Sequence, residues 1–190
     1  MSDLPIVGFA SAQQWRAWLR ENHGSPEGLF LRIAKKGSPE TSVTYPQAVE
    51  VALCFGWIDG QSRRLDDDFW LQKFTPRRAR SKWSAINRER VTQLIAEGQM
   101  QPAGLAQIEA AKADGRWDAA YAPPSTATVP ADLAAALEAN PKAKAFFATL
   151  NSTNRYAIIY RVNDAKRPET RARRIATFVE MLAEERTLHP

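Results

Sequence analysis

The first part of the chain alternates between segments with the hydrophobic period of a helix and segments with the period of a strand. Ser11 and Gln14 have the spacing of a capping box, and the residues after them place apolar side chains at helical spacing. A second capping box begins at Thr44 and precedes a segment, 48–55, that is apolar on nearly every side. Between the two predicted helices, apolar residues alternate over 29–33, which predicts a half-buried strand.

The next segment predicts a β-hairpin followed by two more helices. Residues 64–75 have the composition of a turn at 66–68 and a returning strand, and Pro76 ends that strand because proline cannot donate to a β-ladder. Ser84 or its neighbour then caps a helix, and Pro102 starts the next one. We therefore predict a small antiparallel or mixed sheet flanked by helices in the N-terminal region.

The composition changes after Trp117. The segment 121–130 contains three prolines and no charged residue, which is typical of a linker. Beyond it the apolar residues have a helical period, and the predicted helices span 131–139, 141–149, 152–164 and 168–186. The predicted fold class is α+β, with an α+β domain over 1–120, a Pro-rich linker over 121–130 and an all-helical C-terminal domain over 131–190.

The overall composition is that of an ordinary globular protein. With 190 residues, of which 44% are hydrophobic and 25% charged, the chain can bury an ordinary globular core. A single cysteine excludes an internal disulfide, and the N-terminus has no basic region of a secretory signal, so we expect a cytoplasmic protein. The two histidines lie far apart in the sequence, so we expect no metal site. No motif indicates a cofactor.

Positive charge is concentrated in two segments. Residues 73–90 contain seven Lys or Arg and one Glu, a net of +6 in a chain whose total is +5. Residues 155–174 contain seven Lys or Arg and two acidic residues, a net of +5. The first segment lies between a strand ended by proline and a predicted helix start, where the backbone amides and the helix dipole favour anions. We therefore predict an anion-binding cleft at this point.

The predicted cleft is formed by the GWIDG segment, the end of the second hairpin strand and the start of the next helix. In it, Arg77 and Arg80 would grip the anion, Ser84 would cap the helix, and Asp59 would orient an arginine. A nearby tryptophan would supply a stacking wall. The predicted anion-binding residues are Lys36, Trp57, Asp59, Arg77, Arg80, Trp83, Ser84 and Asn87, and the second basic cluster contains Lys166, Arg171 and Arg174.

Other interpretations stay open on the sequence alone. The basic loop also fits a solvated segment whose tryptophan packs into the core. An enzyme would place Asp59 or Cys54 at the bottom of the cleft, acting on a phosphate or carboxylate substrate, and would need one of them exposed with a shifted pKa. Nucleic-acid or acidic-membrane binding would use both basic clusters. Alternatively, the second cluster would pair with acidic residues of the protein itself. We favour a binding or regulatory protein whose partner is an anionic small molecule or an acidic protein.

Several contiguous motifs resemble a known family. ALCFGWIDG, FTPR, RSKWSAIN and, near the C-terminus, AKRPETRARRI are similar to segments of the YdeI/OmpD-associated family, also called bacteriocin-protection proteins. The resemblance covers roughly Trp15 to Leu182. It implies a cytoplasmic bacterial protein associated with bacteriocin tolerance and stress response, and it assigns no reaction. Because a basic protein repels a cationic peptide across water, capture of such peptides through net charge is disfavoured.

Overall fold

The computed structural model describes residues 4–190, which form two compact units, one ending at Ala120 and the other spanning Tyr121–Pro190. Within these residues, strands occur in the first unit and helices in both, so the predicted α+β class with a helical C-terminal region is confirmed. None of the helices in this part of the chain has the length and apolar character needed to cross a bilayer.

Over residues 4–120, the N-terminal unit combines a four-stranded sheet with four helices. Its elements are β1 (Ile6–Gly8), α1 (Ala12–Asn22), β2 (Leu29–Ala34), α2 (Tyr45–Cys54), β3 (Trp57–Arg64), β4 (Phe69–Pro76), α3 (Ala85–Ala96) and α4 (Pro102–Ala113). The sheet order is β1-β2-β4-β3, with β1 parallel to β2 and the other neighbours antiparallel. β1 is not predicted by the hydrophobic pattern, because three residues are too few to show an alternation.

The helix starts follow the capping patterns of the sequence. The Ser11 side chain accepts a hydrogen bond from the Gln14 amide at 3.3 Å, and the amide of Thr44 donates to Oε1 of Gln47 at 3.2 Å. The N-cap of α3 is Ser84, as expected. These local hydrogen bonds fix the starting points of three helices, so the loops before them enter the fold at defined positions.

The predicted hairpin is confirmed, and its two strands differ in environment. β4 lies between β2 and β3, whereas β3 is an edge strand whose residues from Gly60 onward are exposed. The pairing of β3 with β4 shifts by one position between Asp59 and Ser62, which marks a β-bulge. Gln72, only 3% exposed, donates from Nε2 to the Gly60 carbonyl at 2.7 Å, so a buried side chain satisfies a carbonyl beside the bulge.

The core of this unit is rich in aromatic rings. Trp15 is fully buried, lies 5.7 Å from the ring of Phe74, and donates from its indole nitrogen to the Ala48 carbonyl at 3.1 Å. α4 packs directly on the end of α2, because a Cβ atom at Gly104 would lie 2.3 Å from the Cys54 carbonyl oxygen. Only glycine permits this approach of the two helices.

The C-terminal unit consists of four helices around a separate core. They are α5 (Ala131–Glu138), α6 (Pro141–Thr149), α7 (Ser152–Asn163) and α8 (Pro168–Ala183). Leu133, Ile158 and Leu182 are fully buried in this core. Asn154, 3% exposed, accepts hydrogen bonds at Oδ1 from the amides of Leu188 and His189 and donates to the His189 carbonyl, which attaches the C-terminal segment to α7.

Candidate functional site

The basic loop between β4 and α3, residues 77–84, is organised around Arg77. The Arg77 amide donates to the Gly56 carbonyl at 2.9 Å, immediately after β4 ends. Its side chain is only 6% exposed, and the guanidinium carbon lies 3.6 Å from the centroid of the Trp83 ring. Nη1 donates to the Lys82 carbonyl at 3.1 Å. The predicted anion grip at Arg77 is therefore a buried side chain that spans the loop from one end to the other.

A second arginine, Arg116, binds the middle of the basic loop from a distant part of the chain. The Ser81 amide donates to the Arg78 carbonyl at 2.8 Å, and the Arg78 amide donates to Oγ of Ser81 at 2.9 Å, which forms a tight turn. Arg116 donates from Nη1 to the Ser81 carbonyl at 2.9 Å, and its Nε lies 2.7 Å from Asp114. Sequence reasoning missed Arg116 because it lies 35 residues away from its partner, beyond the range of any local pattern.

The exposed charges of the loop lie next to a helix start. Arg78, Arg80 and Lys82 are exposed, in contrast to Arg77. Oγ of Ser84 accepts a hydrogen bond from the Asn87 amide at 3.1 Å, so the predicted pair Ser84 and Asn87 forms the cap of α3 through the backbone of Asn87. The exposed guanidinium and ammonium groups thus lie beside the positive end of a helix dipole.

The two tryptophans expected to stack against a ligand are core residues. Trp57 is fully buried, contacts the rings of Trp15 and Trp18, and donates from its indole nitrogen to the His23 carbonyl at 2.9 Å. Trp83 is 2% exposed and packs against Trp117 at 5.1 Å. The reason is that large aromatic rings gain most from burial, so neither indole has an exposed face for a ligand.

Asp59 and Cys54 do not provide the exposed reactive group that the enzyme interpretation requires. Asp59 lies in β3, not in a turn, and its Oδ2 accepts a hydrogen bond from the Tyr45 hydroxyl at 2.8 Å. The expected arginine partner is thus replaced by a tyrosine. Cys54 is fully buried, and burial raises the pKa of its thiol, although the nearby Arg16 guanidinium opposes the increase. A raised pKa disfavours the thiolate that a nucleophile needs.

Lys36 lies at the opposite end of the sheet from the basic loop. Ala34 pairs with Phe69 at the start of β4, whereas Arg77 follows the end of that strand. Phe69 and Arg77 are eight residues apart along an extended chain, which corresponds to about 26 Å at the usual rise per residue. The structure therefore does not bring Lys36 into the predicted cleft, because spacing in sequence does not specify how antiparallel strands are aligned.

Two of the three residues named in the second basic cluster, Arg171 and Arg174, make contacts within the fold. Arg171 makes a bidentate pair with Asp132, with Nε–Oδ2 and Nη2–Oδ1 distances of 2.5 and 2.8 Å, and it donates from Nη1 to the Val162 carbonyl at 2.9 Å. This pairing lowers the pKa of the Asp132 carboxyl through the hydrogen bond from Arg171. Arg174 donates to the Arg161 carbonyl, while Lys166 is exposed.

These contacts support the interpretation that acidic groups within the fold pair with the second cluster. Val162 and Arg161 belong to the last turn of α7, where carbonyl groups are available to partners outside the helix. Arg171 and Arg174, one turn apart on α8, both bind this end of α7. Their charge is thereby committed to joining the two helices.

Comparisons with known families divide the chain into two matches. A model described as "Domain of unknown function (DUF8412)" matches residues 7–107, and a model described as "Bacteriocin-protection, YdeI or OmpD-Associated" matches residues 126–185. No significant match was found among curated proteins or among solved structures.

The two matches confirm the family resemblance and correct its extent. AKRPETRARRI falls within residues 126–185, whereas ALCFGWIDG, FTPR and RSKWSAIN fall within residues 7–107. The motifs that include the basic loop therefore belong to the domain of unknown function. The chain belongs to the family described as "Domain of unknown function (DUF8412)", and its residues 126–185 are similar to the bacteriocin-protection, YdeI or OmpD-associated family.

Proposed function

We propose that the protein is a non-enzymatic binding or regulatory protein that receives an anionic ligand at the basic loop and the first turn of α3. One observation carries this proposal. Two arginines, Arg77 and Arg116, bind carbonyl groups of the loop and hold its shape, while Arg78, Arg80 and Lys82 remain exposed beside the capped start of α3. A loop of fixed shape loses little conformational entropy when a ligand binds.

Burial of Arg77 also strengthens the local positive potential. A guanidinium stays charged at all physiological pH values, and a charge surrounded by protein is screened less by water and salt than an exposed one. Arg77 therefore contributes to the field at the loop surface without contacting the ligand. In this proposal Arg77 is a positioning residue, whereas Arg78 and Arg80 are the groups that contact the anion.

The ligand chemistry that fits is a phosphate or a carboxylate. Both present paired oxygens that match the two parallel N–H donors of an arginine, and both are favoured by helix amides. The family description names bacteriocin protection. If this chain has such a role, the basic loop would contribute by recognising an acidic partner, because it repels cations.

Isothermal titration calorimetry of the full chain tests the proposal, with sodium pyrophosphate and sodium citrate as probes. We expect one or both to bind, and the double variant Arg78→Gln/Arg80→Gln to weaken binding by about tenfold or more, since each charge-assisted hydrogen bond contributes about 1.5–3 kcal/mol. Lys36→Gln is the matched control, because it removes an exposed charge at the other end of the sheet. Equal affinities of the double variant and the wild type, or no binding of either probe, would refute the proposal.

A further inference from the structure

An elongated groove runs along α8 within the C-terminal unit, in a region that the proposed function does not use. Its volume is about 940 Å³, and it lies between α8 and α5 together with the turn from α5 to α6. Along α8 its lining extends from Pro168 at the first position to Glu184 just after the last. The groove therefore follows the full length of the longest helix in the unit.

The surface of the groove is formed mainly by small apolar side chains. Ala172, Ala176 and Val179 line it from α8, and Ala136 lines it from α5. Ala172 and Ala176 are exposed, whereas Ala136 and Val179 are half-buried against the core. Small side chains allow the backbone of a second element to approach closely, so this surface is suited to packing against another helix.

The shape of the groove favours a helix over a compact ligand. α8 has 16 residues, so at 1.5 Å per residue the groove is about 24 Å long. A volume of about 940 Å³ spread over that length corresponds to a shallow channel with a cross-section of about 40 Å². A channel of these proportions would leave most of a compact metabolite exposed, whereas an amphipathic helix buries one face along it.

The charge of the groove is opposite to that of the unit around it. Residues 121–190 contain ten Lys or Arg and seven Asp or Glu, a net of +3. The charged residues that line the groove are Asp132, Glu180 and Glu184 against Arg171, a net of −2. Asp132 and Arg171 neutralise each other in their bidentate pair, so the remaining negative charge of the lining lies with Glu180 and Glu184.

The end of α8 adds to this negative potential. Glu180 and Glu184 lie at the carboxyl end of the helix, where the dipole and the last carbonyl groups also favour cations. Glu184 forms an ion pair with Arg186, and because both side chains are exposed, this pair competes little with a partner. An occupant with an apolar face and a basic edge would thus complement both the lining and its charge.

We propose that the α5–α8 groove is a docking site for an amphipathic helix of another polypeptide, one that carries Lys or Arg at the edge of its apolar face. The apolar face would pack on Ala172, Ala176 and Val179. The basic residues would lie beside Glu180 and Glu184. This site is separate from the anion-binding loop, and each can fail experimentally without the other.

Fluorescence anisotropy of a labelled 16-residue peptide tests the docking proposal on the full chain. The probe is a Leu/Ala/Lys peptide with helical amphipathic spacing, and the comparison peptide has Glu in place of Lys. Ala176→Trp, at an exposed position of the groove, fills the channel, and Ala135→Trp, exposed on α5 outside the lining, is its control. Glu180→Lys reverses the charge of the rim, with Glu185→Lys as the control.

We expect the basic peptide to bind and the acidic peptide not to bind. Ala176→Trp and Glu180→Lys should each raise the dissociation constant by about tenfold or more, and both controls should leave it within about twofold. Circular dichroism melts of each variant establish that the helices are intact. Equal binding of the two peptides, an effect of Ala135→Trp as large as that of Ala176→Trp, or self-association of the chain that Ala176→Trp abolishes would overturn the proposal.

Discussion

Arg77→Ala should destabilise the N-terminal unit, because Arg77 supports the basic loop from inside the fold. The substitution removes a guanidinium that lies 3.6 Å from the Trp83 ring centroid and donates to the Lys82 carbonyl. It also leaves a cavity beside a ring that is 2% exposed. The neighbouring Arg78 is exposed, so Arg78→Ala is a control that removes the same side chain without this packing.

The size of the effect follows from the contacts that are lost. A desolvated cation–π contact contributes about 2 kcal/mol, and a hydrogen bond from a charged donor about 1.5–3 kcal/mol. Together they predict a loss of about 3.5–5 kcal/mol in the free energy of unfolding, a large part of the stability of an ordinary domain. With a urea m-value of about 2 kcal/mol/M, the unfolding midpoint should fall by about 2 M. Arg78→Ala should change the free energy of unfolding by less than about 0.5 kcal/mol.

Urea unfolding followed by tryptophan fluorescence measures the loss of stability in the N-terminal unit specifically. All six tryptophans lie before residue 121, so their fluorescence reports on the N-terminal unit alone. Arg77→Lys is informative as a third variant, because it keeps the charge but loses the planar group that stacks on the ring. If Arg77→Ala unfolds within about 0.5 kcal/mol of the wild type, Arg77 is not the support of the loop and the reasoning fails.

Three further substitutions test other parts of the structure. Gly104→Ala should lower the free energy of unfolding of the N-terminal unit by about 3 kcal/mol, measured by the same fluorescence assay, because the new Cβ would lie 2.3 Å from the Cys54 carbonyl oxygen. Asn154→Ala should cost the C-terminal unit about 2–3 kcal/mol and increase amide hydrogen exchange at residues 188–189, since three hydrogen bonds to that segment are lost. Asp132→Asn should flatten the pH dependence of stability below about pH 4, followed by circular dichroism. The pKa of Asp132 is lowered in the folded state, so its stabilisation is present above the unfolded pKa and is lost as pH falls through the folded pKa. An unchanged acid transition in Asp132→Asn would contradict this assignment.

Local patterns predicted most elements of the fold because the physics behind them is local. Capping at Ser11 and Ser84 depends on residues three positions apart, and Pro76 stops a strand through its own missing amide. The short strand β1 is different, because it forms only by pairing with β2, more than twenty residues away. A strand of this length has no signal of its own in the sequence.

The candidate site was predictable in its position but not in the roles of its residues. The charge between Lys73 and Arg90 and the helix start at Ser84 are visible in sequence, and four of the seven basic residues lie in the loop before that helix. Which arginines are buried depends on partners distant in the chain, as with Arg116 and the Ser81 carbonyl. Lys36 illustrates the same limit, since its position follows from strand register and not from spacing.

Backbone amide chemical shifts test most directly whether the basic loop binds an anion. Two-dimensional ¹H–¹⁵N correlation spectra of the full chain would be recorded during titration with sodium pyrophosphate at constant ionic strength. Anion binding at the basic loop predicts saturable shifts of amides between Arg78 and Asn87, and their loss in Arg78→Gln/Arg80→Gln. Shifts that do not saturate, or that concentrate on α7 and α8 instead, would contradict an anion site at this loop.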